Sequence, residues 1–250
     1  MSGKVEVNIA DHVARVRFFH PKKNSLPGEL LRNIAEKINE VANNDDVNVV
    51  VLESGENGPF CAGASFDELV AIENFESGKH FFMGFALVIL AMKNCPKFTI
   101  VRVQGKAVGG GVGVIAAADY AMATTGAAIK LSELAIGIGP FVVGPCVERK
   151  VGTSAFSELS IDADWRDASW AKQRGLYAKT FENVELLDQE VDKFSKSLAQ
   201  KSPEAMRELK KILWQGTENW TELLEQRAEI SGKLVLSDFT KNAIAAFKKK

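Results

Sequence analysis

The stretch Lys106-Ala107-Val108-Gly109-Gly110-Gly111-Val112-Gly113-Val114-Ile115-Ala116-Ala117-Ala118-Asp119 joins an expected strand over residues 98–103 to an expected helix of small residues ending near Asp119. Three consecutive glycines let a ligand atom approach the backbone closely. The start of a helix leaves N–H groups without intrahelical acceptors, at the positive end of the helix dipole. Together these features suit an anion, or a carbonyl oxygen gaining negative charge. A tight turn with close helix packing would use the same residues, so the triplet alone assigns no site. No Gly-Lys-Ser/Thr closes the loop, and Gly109, Gly111 and Val114 do not complete a G-x-G-x-x-G pattern.

Outward from this stretch, strands and helices alternate. Val5, Val7 and Ile9, then Val13, Val16 and Phe18, predict two short strands with a turn between them. Pro27 stands at a helix start, and Leu30, Leu31, Ile34, Ile38 and Val41 recur at helical spacing. Residues 47–52 form a nearly continuous apolar run, as expected of a strand covered on both faces. A loop is expected over residues 53–59, then a helix over 67–92 with a break at 77–78, stopped by Cys95-Pro96. Strands are expected over 120–123 and 127–131. Most of the remainder reads as helix, including segments over 186–199, 223–235 and one beginning at Pro203 in which Leu209, Ile212 and Leu213 are apolar. The alternation predicts a layered α/β fold.

Composition narrows the function classes. The 250 residues are 46% hydrophobic, as in an ordinary globular chain, and the formal net charge of -1 argues against a dedicated nucleic-acid binder. Cys61, Cys95 and Cys146 are odd in number and lack ligand spacing, which predicts reduced thiols and a cytoplasmic protein. His12, His20 and His80 are too scattered for a zinc site. Residues 1–11 hold no apolar core of signal-peptide length, and the most apolar run, 81–92, is too short to span a bilayer. Neither a nucleic-acid nor a membrane partner is expected. Lys248-Lys249-Lys250 reads as a solvated tail.

Three stretches carry chemistry together: Cys61-Ala62-Gly63-Ala64-Ser65, Gly109-Gly110-Gly111, and Leu131-Ser132-Glu133-Leu134-Ala135-Ile136-Gly137-Ile138-Gly139-Pro140. In this order and spacing they resemble the crotonase superfamily, also called the enoyl-CoA hydratase/isomerase family. Asn24-Ser25-Leu26 and Val49-Val50-Val51-Leu52 extend the resemblance over nearly the whole chain, while the C-terminal helices match in general pattern only. The resemblance implies a spiral of strand–strand–helix units over residues 1–190 and a C-terminal helical region over 191–250 that mediates a homotrimer or hexamer. It implies an acyl-CoA thioester substrate, with coenzyme A part of the substrate and no metal or redox cofactor. The two amides that hold the thioester oxygen fall on Ala64 and Gly110, with Ala62, Gly63 and Gly109 in the same turns. Glu133 matches the second catalytic glutamate of the family. Phe141 falls in the acyl pocket, and Lys22 and Lys23 fall where a basic residue meets the coenzyme A phosphates.

The residues themselves agree with part of this. A turn amide and a helix-start amide can converge on one oxygen. Glu133 has Ile129, Leu131, Leu134 and Ile136 as sequence neighbours, an environment that raises a carboxyl pKa. The chain also departs from the family pattern. Gly113 occupies the position of the other hydratase glutamate, Ser65 replaces an aspartate, and Gly139-Pro140-Phe141-Val142-Val143-Gly144-Pro145 replaces a glycine-rich loop, making the acyl pocket apolar. One glutamate can still carry a proton between two carbons, so isomerisation and hydration stand level. Two other readings remain open. One is decarboxylation of a carboxyacyl thioester, with Lys79 and His80 in the region where some relatives place a basic group. The other is a non-catalytic acyl-CoA-binding homologue. Trp165, Trp170, Trp214 and Trp220 read as packing residues.

Overall fold

Alternating apolar residues form β1 (Lys4–Ala10), which turns at Asp11 and His12, both at positive φ, into the antiparallel strand β2 (Val13–Phe19). In this computed structural model residues 3–55 and 58–247 are described; Glu56 and Asn57 of the expected loop and the Lys248-Lys249-Lys250 tail lie outside them. From β2 onward one unit repeats: a long strand, a two-residue strand, then helix. The units are β2, β3 (Ser25–Leu26) and α1 (Gly28–Ala42); then β4 (Val49–Ser54), β5 (Gly63–Ala64), α2 (Phe66–Val70) and α3 (Phe75–Asn94). Next come β6 (Phe98–Val103), β7 (Ala107–Val108) and α4 (Gly110–Ala116); then β8 (Tyr120–Thr124), β9 (Ile129–Lys130) and α5 (Gly144–Val151). The chain continues through α6 (Thr153–Asp162), α7 (Ala168–Gln173), β10 (Lys179–Phe181), α8 (Val184–Ala199), α9 (Pro203–Leu213), α10 (Trp220–Leu234) and α11 (Asp238–Phe247).

The long strands make one six-stranded sheet in the order β1-β2-β4-β6-β8-β10, parallel beyond the first hairpin. Parallel strands need crossovers, and the crossover helices cover the sheet on both faces. β4 shows the consequence: Val50 and Leu52 point into the core with Leu31, Ile34 and Ile38 of α1, while Val49 and Val51 point the other way, against Leu187 and Val191 of α8. This is the two-residue period of a strand with both faces buried. The short strands pair as β3–β5 and β7–β9, and the bridge between Cys61 and Ala107 joins the two ladders. The α/β class and the repeated-unit architecture are those expected.

Several local expectations are revised. The helix break falls at 71–74, not 77–78, because Asn74 caps α3 through a capping box with Ser77. Gly78 instead lies against Gly232 of α10, where a Cβ would stand 3.0 Å from its Cα. Glu53 and Ser54 belong to β4 and are buried, Glu53 between Arg15 and Arg17. β10 was not expected; it extends the sheet by pairing Lys179 to Met122. α3 is 20 residues long and by length and apolar composition could cross a membrane, but it packs between α1 and α10. In α9 the apolar Leu209, Ile212 and Leu213 are exposed, whereas Lys210 is buried. The division expected at residues 190–191 falls inside α8, whose apolar stripe belongs to the sheet.

Candidate active site

The short ladders place the three sequence stretches around one cavity. Ala62 N–H donates to Asn24 O at 3.1 Å, Val108 N–H to Cys61 O at 2.9 Å, and Gly109 N–H to Lys130 O at 2.8 Å. These bonds string β3, β5, β7 and β9 side by side, and the residues after them wall a cavity of about 750 Å³. Ala62, Gly63, Ala64, Gly109, Gly110, Glu133 and Phe141 all line it. Ser231 of α10 and Ala243 and Ala246 of α11 close it from the C-terminal side.

Each glycine of the triplet answers a different demand. Gly109 caps α4 at φ 53°, a left-handed conformation that other residues adopt at a cost. A Cβ on Gly110 would lie 2.3 Å from the Phe85 ring, and one on Gly111 2.7 Å from Cys61 Cβ. Gly110 is the first residue of α4, so its N–H has no acceptor within the helix. Ala64 faces the same cavity from β5, and Ser25 Oγ donates to Ala64 O at 3.0 Å, fixing the peptide plane that follows. Ser65, where the family pattern has aspartate, caps α2 by accepting the Glu68 N–H at 3.3 Å. An aspartate would make the same cap.

Glu133 stands at the start of the 3₁₀ turn Leu134–Ile136, whose Ile136 N–H returns to Glu133 O at 3.2 Å. Its carboxylate reaches back over the triplet, with Oε1 3.0 Å from where a Cβ on Gly109 would stand. Oε2 is shut off from solvent and, among the described residues, has no hydrogen-bond partner. Burial pushes the carboxyl pKa up to about 7, and the backbone amides of Glu133 and Ser132 offset this only in part. A carboxyl poised there can both take and return a proton near neutral pH.

Gly113 is buried and does not line the cavity. A Cβ on it would lie 2.4 Å from Val143 Cγ1 and 3.4 Å from Ile89 Cδ1. Val143 therefore fills the space into which a side chain at 113 would grow. The cavity beyond Glu133 is walled by Leu69, Phe81, Phe82, Phe85, Phe141, Ile138 and Val142. The aromatic residues of α3 carry this wall, a role their sequence spacing did not disclose.

Other expected residues fall elsewhere. Lys22 and Lys23 are exposed and outside the cavity wall, and Lys22 pairs with Asp67. Lys79 is held by Glu225 at 2.7 Å and Glu229 at 2.9 Å, and His80 lines a separate groove with Arg32 and Glu68. Trp214 and Trp220 pack edge-on in the core as expected. Trp165 does not: it is exposed and lines the cavity beside Lys130. The pairing of Ile129 with Arg166 brings it there, and no local pattern signals that contact.

A family model described as enoyl-CoA hydratase/isomerase matches residues 8–250. Human mitochondrial methylglutaconyl-CoA hydratase is 30% identical over 200 residues, 78% of this chain and 59% of that protein. The chain thus spans about three-fifths of that relative's length. The peroxisomal Delta(3,5)-Delta(2,4)-dienoyl-CoA isomerase of Arabidopsis thaliana is 26% identical over 239 residues, 89% of this chain and 84% of that protein. The crystal structure of an enoyl-CoA hydratase from Bacillus halodurans matches in fold with a TM-score of 0.90 at 22% identity, covering 97% of this chain and 99% of that one.

Proposed function

The chain belongs to the enoyl-CoA hydratase/isomerase family, and from that premise we propose that it moves a proton between two carbons of an unsaturated acyl-CoA thioester, with Glu133 as its single acid–base group. The observation that carries this reading is the Glu133 carboxyl, buried beside Gly109 with one oxygen unpartnered among the described residues and a pKa of about 7. The ionised carboxylate takes a proton from a carbon α or γ to the thioester carbonyl. The electron pair left behind delocalises onto the carbonyl oxygen, giving an enolate. Ala64 and Gly110 N–H groups would donate to that oxygen as its charge grows; losing one such donor typically costs about 2.7–4 kcal/mol of transition-state stabilisation. Glu133, now protonated, returns the proton to the other carbon and the double bond moves.

Hydration is the second reading, and Val143 weighs against it. A water held by Glu133 alone has one anchor, and misplacing a reactant by about 1 Å can cost around 10²-fold. The geometry supports decarboxylation through Lys79 or His80 less well, since neither lines the cavity. The exposed Leu209, Ile212 and Leu213 of α9 support association with further copies of the chain, and the family resemblance makes that a homotrimer or hexamer.

The test is a panel of enoyl-CoA thioesters incubated in deuterated water. Deuterium at the α or γ carbon with double-bond migration is expected, at a rate well above water addition to crotonyl-CoA. Rapid hydration without carbon–hydrogen exchange would overturn the proposal.

A further inference from the structure

Behind the turn that carries Ala62, Gly63 and Ala64 lies a thiol that the proton transfer leaves unused. Cys61 is fully buried, does not line the cavity, and packs in the main core with Ala107, Val112 and Ile115. Its main chain joins the two short ladders: Cys61 N–H donates to Lys106 O at 3.3 Å, and Cys61 O accepts the Val108 N–H at 2.9 Å. Its side chain turns back on Gly63. Sγ accepts the Gly63 N–H at 3.3 Å, and the thiol donates to Gly63 O at 3.8 Å. A thiol can do both, being a weak donor and a weak acceptor at once. Burial pushes its pKa up to about 12, so the proton it donates stays on sulfur.

Gly63 O belongs to the peptide unit that also carries the Ala64 N–H. The unit is planar and trans, so the two groups point in opposite directions. Gly63 O faces the thiol on the core side, and the Ala64 N–H therefore faces away from it, toward the cavity that Ala64 lines. Gly63 stands at φ 95°, and the freedom of glycine leaves the orientation of this peptide to its neighbours. The β3–β5 ladder supplies only two residue pairs to fix it. The same side chain meets the second turn. A Cβ on Gly111 would stand 2.7 Å from Cys61 Cβ and 3.0 Å from Sγ, so α4 rests on Cys61 one residue past Gly110.

Resting on the acyl-CoA reading of the cavity, we infer that Cys61 is a positioning residue: its thiol holds the Gly63 carbonyl on the core side and so aims the Ala64 N–H at the thioester oxygen. It acts through that amide and touches no reacting atom.

The test reads the carbonyl stretch of a saturated acyl-CoA thioester, isotopically labelled at the carbonyl carbon, by difference infrared spectroscopy. A saturated thioester binds without turning over. In the wild type the stretch should fall below its value in water, because two N–H donors polarise the bond. Cys61→Ala should bring the stretch part of the way back, with kcat on an enoyl-CoA substrate down by about tenfold and KM within about twofold. Cys61→Ser keeps a donor and an acceptor and should recover most of both. Cys61→Val fills the volume without a donor and should behave as Cys61→Ala, so the comparison stands even where the smaller variant does not fold. Rates are taken per folded molecule. A wild-type stretch and kcat in Cys61→Ala or Cys61→Val would overturn the inference and leave the thiol a packing residue. A Cys61→Ser variant no better than Cys61→Ala would overturn it too. A stretch that stays at its value in water in the wild type itself would overturn the acyl-CoA reading, and this inference with it.

Discussion

Asp119 and Glu133 are both carboxylates withdrawn from water, and their surroundings treat them in opposite ways. Asp119 Oδ2 accepts Lys210 Nζ at 2.8 Å and the Thr99 N–H at 2.7 Å, while Oδ1 accepts Trp214 Nε1 at 2.9 Å. Lys210 in turn donates to Met92 O and Lys97 O, so the pair clamps α9 onto the sheet and α3. Among the described residues no cation offsets the burial of Glu133, and its Oε2 is unpartnered. Burial by itself therefore says nothing of role. A buried carboxylate with both oxygens engaged, one of them by a cation, is an anchor. One left short of partners is destabilised as an anion, and that instability is what lets it exchange protons near pH 7.

The largest expected effect falls on the Glu133 side of this contrast. Glu133→Gln should lower turnover by about 10²–10⁴-fold, with thioester binding largely kept. In the wild type kcat/KM should rise with pH as the carboxylate forms, levelling above about pH 7. Near-normal turnover of the variant, or a profile flat from pH 5 to 8, would erase the distinction between the two carboxylates.

On the anchor side, Asp119→Ala leaves Lys210 buried and unpaired. Urea unfolding should show a loss of about 3–5 kcal/mol, with activity per folded molecule retained. A loss of activity at unchanged stability would instead make Asp119 part of the site.

A third measurement sets the two against each other in one property. The Glu133 pKa is raised from 4.5 to about 7 on folding, so the unfolded chain releases this proton first as pH rises. Stability from this group is full below pH 4.5 and falls between pH 4.5 and 7. Glu133→Gln removes that penalty and should be the more stable protein at pH 8, by on the order of 3 kcal/mol, with the gain vanishing near pH 4.5. A variant less stable than wild type at pH 8 would mean that the Glu133 carboxylate is held as Asp119 is.

The smallest effect concerns the second hydratase carboxylate. Gly113→Glu alone should destabilise by about 1–3 kcal/mol through overpacking against Val143, without a gain in hydration. Combined with Val143→Gly it should raise water addition to crotonyl-CoA relative to proton exchange. Equal hydration by both variants would show that Val143 does not control access to that position.

Much of this was legible along the chain because it depends on local rules. Period-two and helical spacings of Val, Ile and Leu located the sheet strands and α1, since each pattern buries one face or both. The Gly109 triplet and the Ala62-Gly63-Ala64 turn marked where backbone amides come free, and Glu133 was singled out by the family resemblance rather than by a local rule. The two-residue strands β3, β5 and β7 were too short to carry a periodic signal, and of the run expected over 127–131 only Ile129–Lys130 is strand. β10 has only three residues and depends on its neighbour β8. The exposed apolar side of α9 could not be told from a buried one, because helical spacing says which residues share a face and not what that face meets.

The sequence by itself determined the α/β class and the family likeness, because these rest on residue type and spacing within a few turns of chain; the residues proposed to carry a thioester and a proton came with that likeness. Only the tertiary structure decided that Val143 fills the place of a second glutamate, that Lys22 spends its charge on Asp67, and that Trp165 stands beside Lys106 and Lys130 at the cavity. The physical reason is the same in each case. Volume and charge are settled by neighbours far apart in sequence, at separations of a few ångströms that no local pattern encodes.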